Sequence, residues 1–279
     1  MKRKIFTASL AAMILTSGLL VTLGSGEINS KYFLNEPSGE NFNQDRSGTP
    51  EDPYIVHNVD NLQKIIEDPD SHYALGNDID ANETSSWNGG DGFEPLGTET
   101  KRFTGGLDGK NYTITGLYIN RSGMDYVGLF GYVDSGGQVK NVHVEDVNIT
   151  GMNHVGGIVG YNGGTVENSY ATGNITGNDY VGGLMGSNCH TVSNSSTDVE
   201  VSGNERVGGL IGVSIGTVEF SFATGTITGN NDIGGLVGGN IEIGSITNCY
   251  SSSNTTGGGW IGLRLLASGP RNGLGEIEQ

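Results

Sequence analysis

The sequence predicts an all-β chain: a parallel β-helix, or solenoid, of glycine-rich repeats with a period of about 26 residues, preceded by a small N-terminal α+β cap. Three observations carry this expectation. First, one glycine block recurs as Val155-Gly156-Gly157-Ile158-Val159-Gly160, Val181-Gly182-Gly183-Leu184-Met185-Gly186, Val207-Gly208-Gly209-Leu210-Ile211-Gly212 and Ile233-Gly234-Gly235-Leu236-Val237-Gly238. An earlier copy, Val127-Gly128-Leu129-Phe130-Gly131, lacks one glycine, and the closing glycines are spaced by 29, 26, 26 and 26 residues. A fixed period in this range marks stacked repeats. Second, another block keeps step with the first: Val166-Glu167-Asn168-Ser169-Tyr170, Val192 to Ser196, Val218 to Phe222 and Ile246 to Tyr250, begun by Val139-Lys140-Asn141. Third, 49 glycines penalise helix interiors, whereas the intervening Val, Ile, Thr and Tyr suit a pleated sheet.

One unit cannot bury its own apolar face. Stacked coils can, with Val over Val and Leu over Ile or Leu, and backbones paired about 4.8 Å apart. The glycines read as the source of tight corners and positive φ. Asn168, Asn194 and Asn248 read either as a hydrogen-bonded ladder inside a turn or as plain surface-turn residues.

The elements follow in chain order. Residues 1–26 read as a signal peptide: Lys2, Arg3 and Lys4, an uncharged apolar run from Ile5 to Leu23, then Gly24-Ser25-Gly26. An uncleaved anchor is the alternative, and no other stretch is apolar enough to cross a membrane. Residues 27–53 are a polar linker, and 54–125 hold the cap and first coils. Within them Tyr54-Ile55-Val56 reads as a strand. Asp60 reads as the cap of a helix from Asn61 to Glu67, with Gln63 completing a capping box and Pro69 ending it. Tyr73 to Leu75 and Asp78 to Asp80 read as extended. Residues 126–264 form the repeat solenoid, and 265–279 an irregular tail.

Charge narrows the function. Beyond residue 26 the chain holds 11 basic and 31 acidic residues, a net −20. Such a chain repels phosphate backbones, so no nucleic-acid partner is expected. The two cysteines, Cys189 and Cys249, occupy different places in the repeat and are poorly set for a disulfide.

The Val-Gly-Gly-Leu-x-Gly anchors at a period near 26 resemble the GLUG-motif repeats of microbial surface proteins, from Tyr126 to about Leu263. The resemblance implies export, surface display and a β-helical stalk or platform. GLUG repeats also accompany metallopeptidase domains, but no such domain is visible here. The resemblance brings no catalytic residues. The last copy, Trp260-Ile261-Gly262-Leu263-Arg264, departs from the pattern.

No catalytic constellation emerges. His57, His72, His143, His154 and His190 never approach the His-Glu-x-x-His spacing of a zinc protease. Gly212-Val213-Ser214-Ile215-Gly216 matches a nucleophile-elbow pattern but lies in a turn after an anchor, without the strand-to-helix context. Glu167 and Glu219 share a column two rungs apart, and Asp78 and Asp80 one strand face, without a partner that would make either pair a glycosidase site. Asp125, Asn153, Asp179, Glu205 and Asn231 share a turn column, in which Asp125, Asp179 and Glu205 are weak calcium candidates. No other cofactor is expected. Tyr170, Phe222 and Tyr250 form one aromatic column, assigned to the core; Tyr126 and Tyr180, with His154 and Arg206, form a second, assigned to the surface. Asn-x-Ser/Thr triplets begin at Asn82, Asn111, Asn120, Asn148, Asn174, Asn194 and Asn254. The expected function is a secreted or cell-surface, noncatalytic, adhesin-like solenoid whose partner is a glycan or a surface protein. A β-helical carbohydrate-active enzyme and a stalk fragment of a longer surface protein are the alternatives.

Overall fold

A computed structural model describes residues 46–241 and 244–257. The export segment, most of the linker, the divergent last copy and the tail lie outside the described residues. Within them the chain winds as a parallel β-solenoid. Its strands form parallel sheets of eight, five, nine and three strands among the described residues. One rung shows the pattern. Asp179–Gly182 belongs to the three-stranded sheet, Met185–Asn188 to the five-stranded, Thr191–Ser193 to the eight-stranded and Ser196–Ser202 to the nine-stranded.

Register follows the repeat residue by residue. Val139, Val166, Val192 and Val218 stack in one inward column. Phe130, Val159, Met185, Ile211 and Val237 form another, and Ile149, Ile175, Val201 and Ile227 a third. All are buried. Strand alternation sends every second side chain into this core, so shared register stacks like on like.

The early spacing of 29 has two local causes. The offset between partners is 29 at Tyr132 and Tyr161 but 27 at Gln138 and Thr165, so the turn after Val133 holds two extra residues. A bulge at Asp146, with φ of 53°, absorbs the third and restores 26 by Val147 and Gly173.

The N-terminal region is continuous with the solenoid. Tyr54–Val56, His72–Leu75 and Gly106–Asp108 already form the first strands of the eight-stranded sheet. The turn at residues 46–53, placed in the linker by sequence, is folded here: Arg46 pairs with Asp52 at 3.1 Å, and His72 N donates to Gly48 O. The helix expectation is corrected. The helix is Val59–Gln63, capped by Asn58, whose side chain accepts from Asn61 N at 2.8 Å; a 3-10 turn covers Lys64–Glu67. Starting two residues earlier turns Val59 and Leu62 together onto the core. Gln63 leaves no capping box, because its amide exchanges two 2.9 Å hydrogen bonds with the Glu94 backbone.

Candidate functional site

The corner entering each anchor block carries a stacked group of large polar and aromatic side chains. The residue before each anchor Val or Ile is left-handed: Tyr126 at φ 60°, His154 at 55°, Tyr180 at 59°, Arg206 at 56° and Asp232 at 50°. This costs an L-residue about 1–2 kcal/mol and normally selects glycine or asparagine.

The anchor glycines have a different role from the one expected. None of them has positive φ. They give room instead. A Cβ on Gly160 would lie 2.6 Å from the Tyr126 carbonyl carbon, and one on Gly212 would lie 2.5 Å from that of Tyr180. Gly186 and Gly238 meet His154 and Arg206 in the same way. Each closing glycine lets one rung lie directly on the left-handed corner of the rung before it.

The corner side chains stack along the solenoid. Tyr126 and His154 are 4.8 Å apart between ring centres, at 17°; His154 and Tyr180 are 4.6 Å apart, at 4°. Arg206 extends the stack, its guanidinium 5.1 Å from the Tyr180 ring centre and its Nη1 donating to Tyr180 Oη at 2.7 Å. Arg206 also pairs with Glu205 at 3.5 Å and Asp232 at 3.8 Å. A second column runs alongside. Tyr132 and Tyr161 stack at 4.4 Å, and Tyr126 meets both edge-on. Arg102 lies 4.5 Å from the Tyr132 ring centre and pairs with Asp134 at 3.2 Å. In the next rung Ser187 fills this column and bonds His154 Nδ1 at 2.6 Å.

Electrostatics follow from this packing. Burial lowers the His154 pKa, against the upward pull of Asp125 and Asp179, so the imidazole favours its neutral form. The Tyr161 hydroxyl is raised, first by its hydrogen bond with Cys189 and then by burial. The Tyr126 hydroxyl is raised by burial and by the charges of Glu99 and Asp125. Most ring faces are covered by neighbouring rings or guanidinium groups, so the ridge offers edges, hydroxyls and two arginines. Among the described residues it assembles no acid–base pair.

The sequence placed Tyr126, Tyr180, His154 and Arg206 in one surface column, and the structure makes that column a half-buried stack. Tyr132 and Tyr161 were missed, although each directly follows a closing glycine. The column of Tyr170, Phe222 and Tyr250 is outside the core, contrary to expectation. Phe222 stacks on Tyr250 at 5.1 Å, and Tyr250 is 58% exposed. Ala171 and Ala223, the next residues along those strands, are fully buried, and parity turns the adjacent rings outward.

The calcium candidates do not converge. Asp125 Oδ1 accepts from Asn153 N and Nδ2 at 3.1 and 2.9 Å, and Asn153 Oδ1 accepts from Asp179 N at 3.2 Å. Asp179 Oδ1 accepts from Asn204 Nδ2 at 3.1 Å, and Glu205 faces Arg206. These oxygens hold rung to rung, and no cluster of three metal-ligating side chains occurs among the described residues. Glu167 and Glu219 lie on the eight-stranded sheet with Ser193 between them. Asp78 and Asp80 line a shallow hollow with His57 and Glu83, but each serves a local bond. Asp78 accepts from Thr113 N at 2.9 Å, and Asp80 accepts from Asn82, which lowers its pKa. Ser214 is buried, in register with Asn188, whose Nδ2 lies 3.2 Å from its hydroxyl. Asn168, Asn194 and Asn248 are left-handed turn residues; Asn168 Nδ2 reaches Asn141 Oδ1 at 3.3 Å, and Phe220 interrupts the column. Cys189 and Cys249 are unpaired.

Comparison with known proteins agrees with this geometry. The GLUG motif matches residues 152–176 and 229–256. Halomucin of Haloquadratum walsbyi is 45% identical over 132 residues, which are 46% of this chain and 1% of that protein. A protein of Evansella cellulosilytica, provisionally named a Gly-rich membrane protein, is 35% identical over 127 residues, 43% of this chain and 14% of its own length. The chain thus spans a small part of the relatives it matches. A crystal structure from Bacteroides ovatus, provisionally assigned as an immunoglobulin A1 protease, superposes with a TM-score of 0.64 at 22% identity, covering 75% of this chain and 69% of that one. This likeness concerns the fold alone. With matched motifs, in-register glycine anchors and parallel coils, the chain carries GLUG-motif repeats within a β-solenoid.

Proposed function

We propose that this chain is a noncatalytic, adhesin-like solenoid displayed at the cell surface, with its aromatic corner ridge offered to a glycan or a surface protein. One observation carries the reading: consecutive rungs place Tyr, His, Tyr and Arg at a left-handed backbone position where glycine or asparagine costs less. Strain of this kind persists where the side chain has a use, and here the side chains build one continuous ridge. Surface display is supported by the relatives, one named halomucin and one a membrane protein. The scattered, locally bonded carboxylates favour binding over hydrolysis.

The test is a glycan array and a cell-envelope binding assay with the full chain, with sugar products analysed in parallel. Substituting Tyr126→Ala, Tyr180→Ala and Arg206→Ala together is expected to weaken binding at least about tenfold, since aromatic and arginine anchors dominate such interfaces. No new reducing ends are expected. Binding that survives the triple substitution, or release of cleaved sugar, overturns the reading.

A further inference from the structure

The outer face of the nine-stranded sheet holds a second set of groups, distinct from the ridge. Asn148, Asn174 and Asn254 share one column across its strands, in register with Glu200 and Thr226; Asn120 lies one column over, above Thr150. All four asparagines are exposed. Each opens an Asn-x-Ser/Thr triplet. In the strand triplets Asn148-Ile149-Thr150 and Asn174-Ile175-Thr176, alternation buries the isoleucine and turns both amide and hydroxyl to the same open side.

Hydrogen bonding sorts the asparagines further. Several turn asparagines spend their amide nitrogens across rungs: Asn141 on Asp108, Asn153 on Asp125, Asn162 on Asn188 and Asn204 on Asp179. Asn120, Asn148, Asn174 and Asn254 make no such bond among the described residues. The triplet at Asn82 is the opposite case. Its Nδ2 donates to Asp80 Oδ1 at 2.7 Å, and Thr84 is buried with its hydroxyl on Ala81 O.

We infer that this sheet face is a glycosylation face, with Asn120, Asn148, Asn174 and Asn254 as acceptors of N-linked oligosaccharide. The co-reactant is an activated glycosyl phosphate. The amide nitrogen bonds to the anomeric carbon, the carbon–oxygen bond to phosphate breaks, the phosphate leaves with the electron pair, and the amide gives up one proton. Asn148 and Asn174 are one rung apart, about 4.8 Å, so sugars there crowd each other; Asn254 stands roughly 14 Å further along. The inference rests on export but not on the ridge.

The experiment maps glycopeptides by mass spectrometry on the full protein recovered from envelope and culture fractions of the cells that make it, so location is read separately. Sugar is expected on Asn254 and on at least one of Asn148 and Asn174, with Asn82 bare. An Asn148→Gln, Asn174→Gln, Asn254→Gln variant from the same cells is expected to lose most of the attached sugar mass with an unchanged melting temperature. A bare face on exported protein, or Asn82 modified as often as the face, overturns the assignment.

Discussion

A single methyl group tests the corner. Gly186 lies against the backbone of His154, where a Cβ has no space, and Gly123 has nothing within 4 Å. Gly186→Ala is therefore expected to destabilise the chain by about 1–3 kcal/mol through overpacking. Gly123→Ala, on the open surface, should stay within about 0.5 kcal/mol. Chemical denaturation of both variants checks the pair, and equal effects would remove the close-approach account of the closing glycines. The glycines are legible in the sequence, but their reason is not. Positive φ is the usual motive for glycine, yet here it falls on Tyr126, His154, Tyr180 and Arg206.

At the scale of elements, parity and registry decide which groups are buried. The five-stranded sheet carries an inward polar column in which Asn162 Nδ2 donates to Asn188 Oδ1 at 2.9 Å and Asn188 Nδ2 donates to Ser214 Oγ at 3.2 Å. Asn162, Asn188 and Ser214 are fully buried. Removing the middle member leaves buried partners unpaired, so Asn188→Ala is expected to cost about 1–3 kcal/mol, measured by urea unfolding. A neutral result would show that the column adds nothing beyond its neighbours. This column was hidden in the sequence because the segment after an anchor, Gly212 to Gly216, read as a turn. Ser214, singled out there by its pattern, is the next member of the same column. The cap helix shows the same limit: Asn58 and Asp60 are both good caps, and only the burial of Val59 and Leu62 selects Asn58.

For the molecule as a whole, the central rungs contact their neighbours through one repeated register of 26, so their stability should be close to a sum of similar units. Deleting residues 178–203 joins Gly177 to Asn204, the counterpart of Asn178, and keeps every column in register. The shortened chain is expected to keep its far-ultraviolet β signal and a single cooperative melt. Deleting only residues 191–203 breaks all the columns and should abolish both. Circular dichroism of the two chains separates the outcomes, and loss of fold in the full-rung deletion would contradict a modular solenoid.

The sequence by itself determined the architecture. A 26-residue repeat of glycine and apolar residues has one economical way to bury its apolar face, and that is to stack on copies of itself. It also determined which residues share a column in the regular rungs, where the period is 26; the turn after Val133 and the bulge at Asp146 reset the partners of the early ones. Only the tertiary structure decided which way each column faces and what it touches. Tyr170 and Phe222 turned outward because Ala171 and Ala223 took the core side. Asp125 and Asp179 became rung-to-rung acceptors, because amides one rung away reached them. Tyr132 and Tyr161 joined the ridge because a left-handed corner swings Tyr126 across to meet them. Periodicity is a property of the chain, but facing and contact depend on backbone dihedrals and neighbouring rungs, which come together only on folding.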